Sequence, residues 1–254
     1  MALDCNAKTL NVDSDPIIKT STLQNKLGEY RHIQFDNKNI ELDVVILNDG
    51  YHAKLYQQKA TNLFDAQSIL KVAQENNSVV ATNGGFYTSH FQPAGLFIEN
   101  GKILKKVARD RLLASCIQVN KKGVLFLEKK MSRCLDATYA MQTGPILIEQ
   151  GNISTDFKIL EHHSPYLKSY FEPNRRTLLA QSSNKKMLVI ITSPMTLLEA
   201  ADIMKSSPHI FGVDNIIMAL NLDGGSSTGM YIKSEEKVFY IAERKPVKTF
   251  LLFE

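Results

Sequence analysis

The chain has 254 residues, enough to bury a sizeable core as one large domain or two small ones. Its 44% hydrophobic and 22% charged residues are those of a globular protein, and no apolar run approaches the length of about eighteen residues that a spanning helix needs. The net charge of +4 comes with lysines scattered beside turns (Lys102, Lys105, Lys106, Lys121, Lys122, Lys185, Lys186), which describes a solvated surface and argues against a nucleic-acid partner.

Residues 1–27 show no strong periodicity and read as an extended or partly disordered lead-in. Met1 to Ser14 lack the apolar core of a signal segment. From residue 28 onward strand signals dominate. Residues 30–35 and 40–47 alternate or run apolar across a turn at Asp36-Asn37-Lys38-Asn39. Residues 51–57, after Asn48-Asp49-Gly50, are expected to pair back on the second of these. Leu63, Phe64, Ala66, Ile69, Leu70 and Ala73 recur at helical spacing, with Thr61 or Asn62 as cap and Glu75-Asn76-Asn77 as the exit. A strand over 78–82 then delivers Asn83-Gly84-Gly85.

A weak echo follows. Ile98-Glu99-Asn100-Gly101-Lys102-Ile103 returns as Ile148-Glu149-Gln150-Gly151-Asn152-Ile153, two hairpins with related turns. Between them 112–119 and 124–127 form another hairpin. Residues 154–174 are less regular and hold Glu161-His162-His163. Residues 176–181 and 187–192 pair over Ser182-Ser183-Asn184. Thr196-Leu197-Leu198-Glu199 is a capping box opening a second helix whose stripe is Leu197, Ala200, Ala201 and Met204. Tyr231-Ile232, 238–242 and 247–253 close the sheets. Two main helices among about a dozen strands give an α+β fold: one domain over 28–254 with mixed or antiparallel sheets.

Two strand ends carry the chemistry. The run Ile216-Ile217-Met218-Ala219-Leu220 is apolar on both alternating faces, as in a strand buried on both sides, and ends in Asn221-Leu222-Asp223-Gly224-Gly225-Ser226-Ser227. A carboxylate at such a place is costly unless paired or used. Ala81-Thr82-Asn83-Gly84-Gly85-Phe86-Tyr87 is built the same way, so the two read as walls of one pocket. Each admits a plainer explanation: Asp223 as a turn acceptor, Asn83 as a turn amide. Arg176 and Thr177 open an apolar strand, where a guanidinium offers paired donors to a phosphate or to Asp223. Gly144-Pro145 is a rigid pocket edge or merely the start of a strand, and His90 is placed for substrate contact. Adjacent His162 and His163 diverge and make a poor metal site. Cys5, Cys116 and Cys134 fit no zinc spacing; Cys116 and Cys134 bridge if their strands are neighbours, and three free thiols fit equally.

Asn83-Gly84-Gly85-Phe86, the hairpin from Gly144-Pro145 to Gln150-Gly151, Arg176-Thr177 and Leu220-Asn221-Leu222-Asp223-Gly224-Gly225-Ser226-Ser227, in this order, resemble the phosphodiester glycosidase family. The likeness spans about residues 30–253, with Arg175 where the family commonly has proline. It implies a hydrolase that releases a sugar, N-acetylglucosamine among them, from a glycan or small-molecule sugar-1-phosphodiester by cutting the glycosidic C–O bond. It also implies a bacterial, exported or periplasmic setting. Asp223 would serve as nucleophile or as base for water, with Arg176 stabilising the leaving phosphate. The backbone N–H groups of Gly84-Gly85 or Gly224-Gly225 would help, and Ser226, Thr177, Asn83, Gly144 and His90 would line the substrate site. Glu172, Asp136 and Glu161 are candidates for a second carboxylate. No cofactor is required, although a divalent cation on Asp223 would rival Arg176. The alternatives are a phosphodiesterase cutting P–O, or a glycan- or envelope-binding module without turnover.

Overall fold

The computed structural model describes residues 16–35, 39–156 and 172–254. Within them eighteen strands form three sheets with antiparallel pairing, and two α-helices pack on the outside, a strand-rich α+β architecture. No described helix is long and apolar enough to cross a membrane.

The largest sheet runs β1 (Ile17–Thr22), β2 (Gly28–Phe35), β3 (Ile40–Leu47), β14 (Met187–Thr192), β13 (Thr177–Ser182), β15 (Ile216–Asn221), β11 (Ile146–Glu149), β12 (Asn152–Ile153). Its inner strands, β14 above all, are apolar on both faces because both faces are covered there. In β3, Val45 and Leu47 face the central core while Val44 and Ile46 face a second core; in β14, Met187, Val189 and Ile191 divide in the same way from Leu188 and Ile190. That second core is closed by α2 (Leu197–Ser206), which buries Leu197, Ala200, Ala201, Ile203 and Met204. Its capping box is formed: Thr196 Oγ1 accepts from Glu199 N at 3.1 Å and Glu199 Oε2 accepts from Thr196 N at 2.7 Å.

The second sheet is β7 (Lys102–Lys105), β6 (Phe97–Glu99), β10 (Tyr139–Thr143), β8 (Ser115–Val119), β9 (Leu125–Glu128). The third is β17 (Val238–Ile241), β16 (Met230–Lys233), β5 (Val80–Asn83), β18 (Thr249–Phe253), β4 (Ala53–Gln57). All three sheets contribute to the central core, and α1 (Ile69–Glu75) covers the outer face of the third with Ile69, Val72 and Ala73. The two echoed hairpins both turn through residues at positive φ, Asn100 and Gly101 in one and Gln150 and Gly151 in the other, the type I′ geometry. They hang from different sheets.

Three expectations change. Strand β4 pairs with β18, not with β3; its Ala53 and Leu55 enter the core, and His52 and Glu254 exchange backbone bonds of 2.9 Å beside it. The first helix starts at Ile69, after Ser68, whose hydroxyl accepts from Lys71 N. Upstream, Asn62 Oδ1 accepts from the backbone of Phe64 and Asp65, an Asx turn that diverts the chain and leaves Phe64 99% exposed. Part of the lead-in is also a strand: β1 pairs along its whole length with β2, held by backbone bonds while most of its side chains stay in solvent. Cys116 and Cys134 form a disulfide between β8 and a turn of 3₁₀ helix (Met131–Cys134). Cys5, Glu161, His162, His163 and the turn residues 36–38 lie outside the described residues.

Candidate functional site

The site forms where strands of two sheets end together. Strand β15 is paired on both sides, by β13 and β11. Beyond Asn221 the chain crosses from the first sheet to the third: Leu222 N donates to Thr177 O at 2.9 Å and Asp223 N to Gly84 O at 3.1 Å. The Asn83 amide donates to Asp223 O at 2.7 Å. Asp223 is thus held by its own backbone at a set depth, whatever its side chain does.

Two glycines follow for different reasons. A Cβ on Gly224 would come within 2.9 Å of the Arg175 carbonyl, while Gly225 adopts φ +62 to start the 3₁₀ turn Gly225–Ser227. That turn folds back on the carboxylate. Gly224 N donates to Asp223 Oδ1 at 2.9 Å, and the Ser227 hydroxyl is hydrogen-bonded to the same carboxyl and to Tyr87. Dense protein surrounds the carboxyl, which borders the cavity. Desolvation therefore outweighs these bonds and pushes it from 3.8 up to about 6.

Arg176 sits at the start of β13, 4% exposed. Its Nε donates to Met195 O at 3.0 Å and one terminal nitrogen donates to Glu172 O, bonds that set the plane of the guanidinium. No carboxylate among the described residues lies within ion-pair distance of it. Burial lowers it to about 10, so it stays a cation at neutral pH.

Asp223 and Arg176 border the same cavity, of about 550 Å³, together with Gly224, Gly225, Ser226 and Ser227. The rest of the lining is supplied by Phe86, Tyr87, Ala94, Asp110, Leu112, Leu113, Asn174, Asn221 and Lys245. This is the size of a site for a small organic ligand.

Asn83, Gly84, Gly85, Gly144, Thr177, His90 and Asp136, also singled out in the sequence, do not line the cavity. Asn83 and Thr177 are fully buried and joined to each other, Thr177 Oγ1 donating to Asn83 Oδ1 at 2.8 Å. They brace the crossing and do not border the cavity. Gly144 is pressed against Leu112, where a Cβ would stand 2.2 Å from the carbonyl oxygen. His90 is exposed and away from the lining, as is Asp136, while Glu172 contributes its carbonyl to Arg176. The glycine N–H groups are not open to a ligand. Gly84 N donates to Thr249 O, Gly85 N to Met141 Sδ, Gly224 N to Asp223 and Gly225 N to Arg175 O. The strand ends use these donors to join the sheets, which leaves side-chain donors such as Arg176, Ser226 and Lys245 for an anion.

Sequence reasoning missed Asp110 and Lys245, and it included Ser227 in the motif without giving it a role. Asp110 is a second carboxylate on the cavity rim, with Oδ1 accepting from Leu112 N at 2.8 Å. Its signal was faint: one acid between Arg109 and Arg111, next to two leucines. Among the described residues no group of three or more His, Cys, Asp or Glu is placed to hold a metal ion.

Residues 76–254 match the family described as NAGPA, phosphodiester glycosidase. Among solved structures, the fold is similar to that of a hypothetical protein from Synechocystis, with a TM-score of 0.69 and 13% identity over 94% of this chain and 64% of that one. It is also similar to the zebrafish N-acetylglucosamine-1-phosphodiester alpha-N-acetylglucosaminidase (NAGPA) catalytic domain, auto-inhibited by its pro-peptide, with a TM-score of 0.62 and 14% identity over 94% and 82%. The chain thus spans under two thirds of the Synechocystis protein, and at these identities the likeness is one of fold. No curated protein matches. The family match covers well over half of the sequence, and the chain belongs to the phosphodiester glycosidase family.

Proposed function

We propose that this protein hydrolyses a sugar-1-phosphodiester at the glycosidic C–O bond, releasing the sugar and a phosphate monoester. The observation that carries the reading is that Asp223 and Arg176, far apart in sequence, border one cavity. A phosphate monoester leaves far more readily than a sugar alcohol, so the reaction asks less of a general acid than ordinary glycoside hydrolysis. It asks instead for a cation at the departing phosphate and a carboxylate at the oxocarbenium-like sugar. Arg176 suits the first role because its fork is already oriented by two carbonyls and unspent on a described acid. Asp223 suits the second, as nucleophile or as base for water, and at about 6 it is mostly ionised at neutral pH.

Asp110, on the rim of the same cavity, is placed to relay a proton to or from water. The N-acetylglucosamine-1-phosphodiester named for the zebrafish relative is the first substrate to try. The Cys116–Cys134 bridge supports an oxidising, exported setting. The scheme needs no cofactor. Incubation with a panel of sugar-1-phosphodiesters, with and without chelator, tests it. Free sugar in both conditions supports it, sugar lost on chelation replaces Arg176 with a metal as the phosphate's partner, and tight binding without product makes the chain a binding module.

A further inference from the structure

We propose that the segment 102–111 is a docking surface for an anionic lipid bilayer. Strand β7 is the edge of the second sheet, and all four of its residues are exposed. Ile103 is 51% exposed, Leu104 41% and Val107 43%, three branched apolar side chains within five residues. Around them stand Lys102, Lys105, Lys106, Arg109 and Arg111, all exposed, against one acid, Asp110. None of these five cations is in an ion pair among the described residues.

Lysines alone would be ordinary protection of a sheet edge, which keeps other chains from pairing with it. That purpose is served by polar neighbours and gives no reason for Ile103, Leu104 and Val107 to stand in water. Cations interleaved with exposed apolar side chains are the composition that an anionic membrane interface takes up: the ammonium and guanidinium groups meet the headgroups and the apolar chains enter just below them. A soluble polyanion would use only the charges.

The segment is also anchored, not a loose tail. The buried Gln142 amide holds Ala108 by both its N–H and its carbonyl, at 2.9 and 2.8 Å, and holds the Leu113 carbonyl at 2.8 Å. Those bonds flank Asp110, so the chain that follows the exposed strand is fixed where Asp110, Leu112 and Leu113 line the cavity. A phosphodiester headgroup in the docked surface would lie next to the cavity mouth. That last point rests on the proposed function; the docking does not.

The test is co-sedimentation of the full chain with phosphatidylcholine vesicles, with or without phosphatidylglycerol as a minority lipid. Two double variants accompany it, Lys105→Glu/Lys106→Glu and Ile103→Ser/Leu104→Ser, each checked for a native melting transition. Binding to the anionic vesicles alone is expected. It should weaken by roughly tenfold or more in the charge variant and fall clearly in the serine variant, while turnover of a water-soluble phosphodiester is unchanged in both. No binding to anionic vesicles by the unaltered chain overturns the proposal. So does undiminished binding by the serine variant, which would make the surface a site for polyanions in general.

Discussion

Replacing Asp223 with asparagine should remove activity and at the same time make the protein more stable, by an amount that depends on pH. Burial lifts this carboxyl from 3.8 to about 6. At about 1.4 kcal/mol for each tenfold change, its charged form is disfavoured in the folded state by about 3 kcal/mol. Water in the cavity moderates that figure, so a range of about 1–3 kcal/mol is expected. The sign follows from proton binding. Between about pH 4 and 6 the folded chain holds this proton more tightly than the unfolded chain, so its stability falls as pH rises through that window. Asparagine does not titrate, and its oxygen can still accept from Gly224 N, the 2.9 Å bond that Asp223 makes. The variant should therefore gain on the parent from about pH 4 upward and level off above about pH 6. Urea denaturation across this range measures the gap. A constant gap, or a parent that gains on the variant as pH rises, would refute the claim that Asp223 is buried at a cost to the fold. In the parent, kcat/KM for a phosphodiester should rise with pH through about 6, since the ionised form acts. The variant should lose a factor on the order of 10² to 10⁴.

Arg176→Lys keeps the charge but cannot hold both the Met195 and Glu172 carbonyls; kcat should fall by about 10²-fold or more, with a lower melting temperature. Asp110→Asn should leave stability unchanged, because its side chain is solvated and one backbone bond survives, while kcat falls and its pH profile changes shape. An unchanged profile would remove Asp110 from proton transfer. Replacing Cys116 and Cys134 together with alanine opens the disulfide across 18 residues and should cost about 2–4 kcal/mol in denaturation without altering KM. Asn83→Ala should act through the position of Asp223, destabilising the fold by about 1–3 kcal/mol and lowering kcat more than it raises KM.

The fold was legible wherever one side-chain pattern admits one structure. The doubly apolar runs of β14 and β15, the capping box before α2 and the two Gly-containing hairpin turns all form as their residues demand. Local patterns do not report non-local partners, so β4 was sent to its neighbour in sequence although its ladder is with the C-terminal β18. Helical spacing at 63–66 was a coincidence, overridden when Asn62 offered its own backbone a tighter turn. In the site, Asp223 and Arg176 stood out because a charge at the mouth of a buried strand must be satisfied or used. Asn83 and Thr177 looked alike in sequence to cavity residues, since an amide or hydroxyl beside glycines reads the same whether it faces a ligand or another strand end; here each satisfies the other. Asp110 and Lys245 arrive from loops whose placement depends on Gln142 and on the Ser226 carbonyl, contacts that no short window contains.

The central claim is that the bond broken lies between sugar and oxygen, not between oxygen and phosphorus. Turnover of a sugar-1-phosphodiester in water enriched in heavy oxygen, followed by mass analysis of both products, tests it directly. The account predicts the label in the released sugar and none in the phosphate monoester. Label in the phosphate would contradict it.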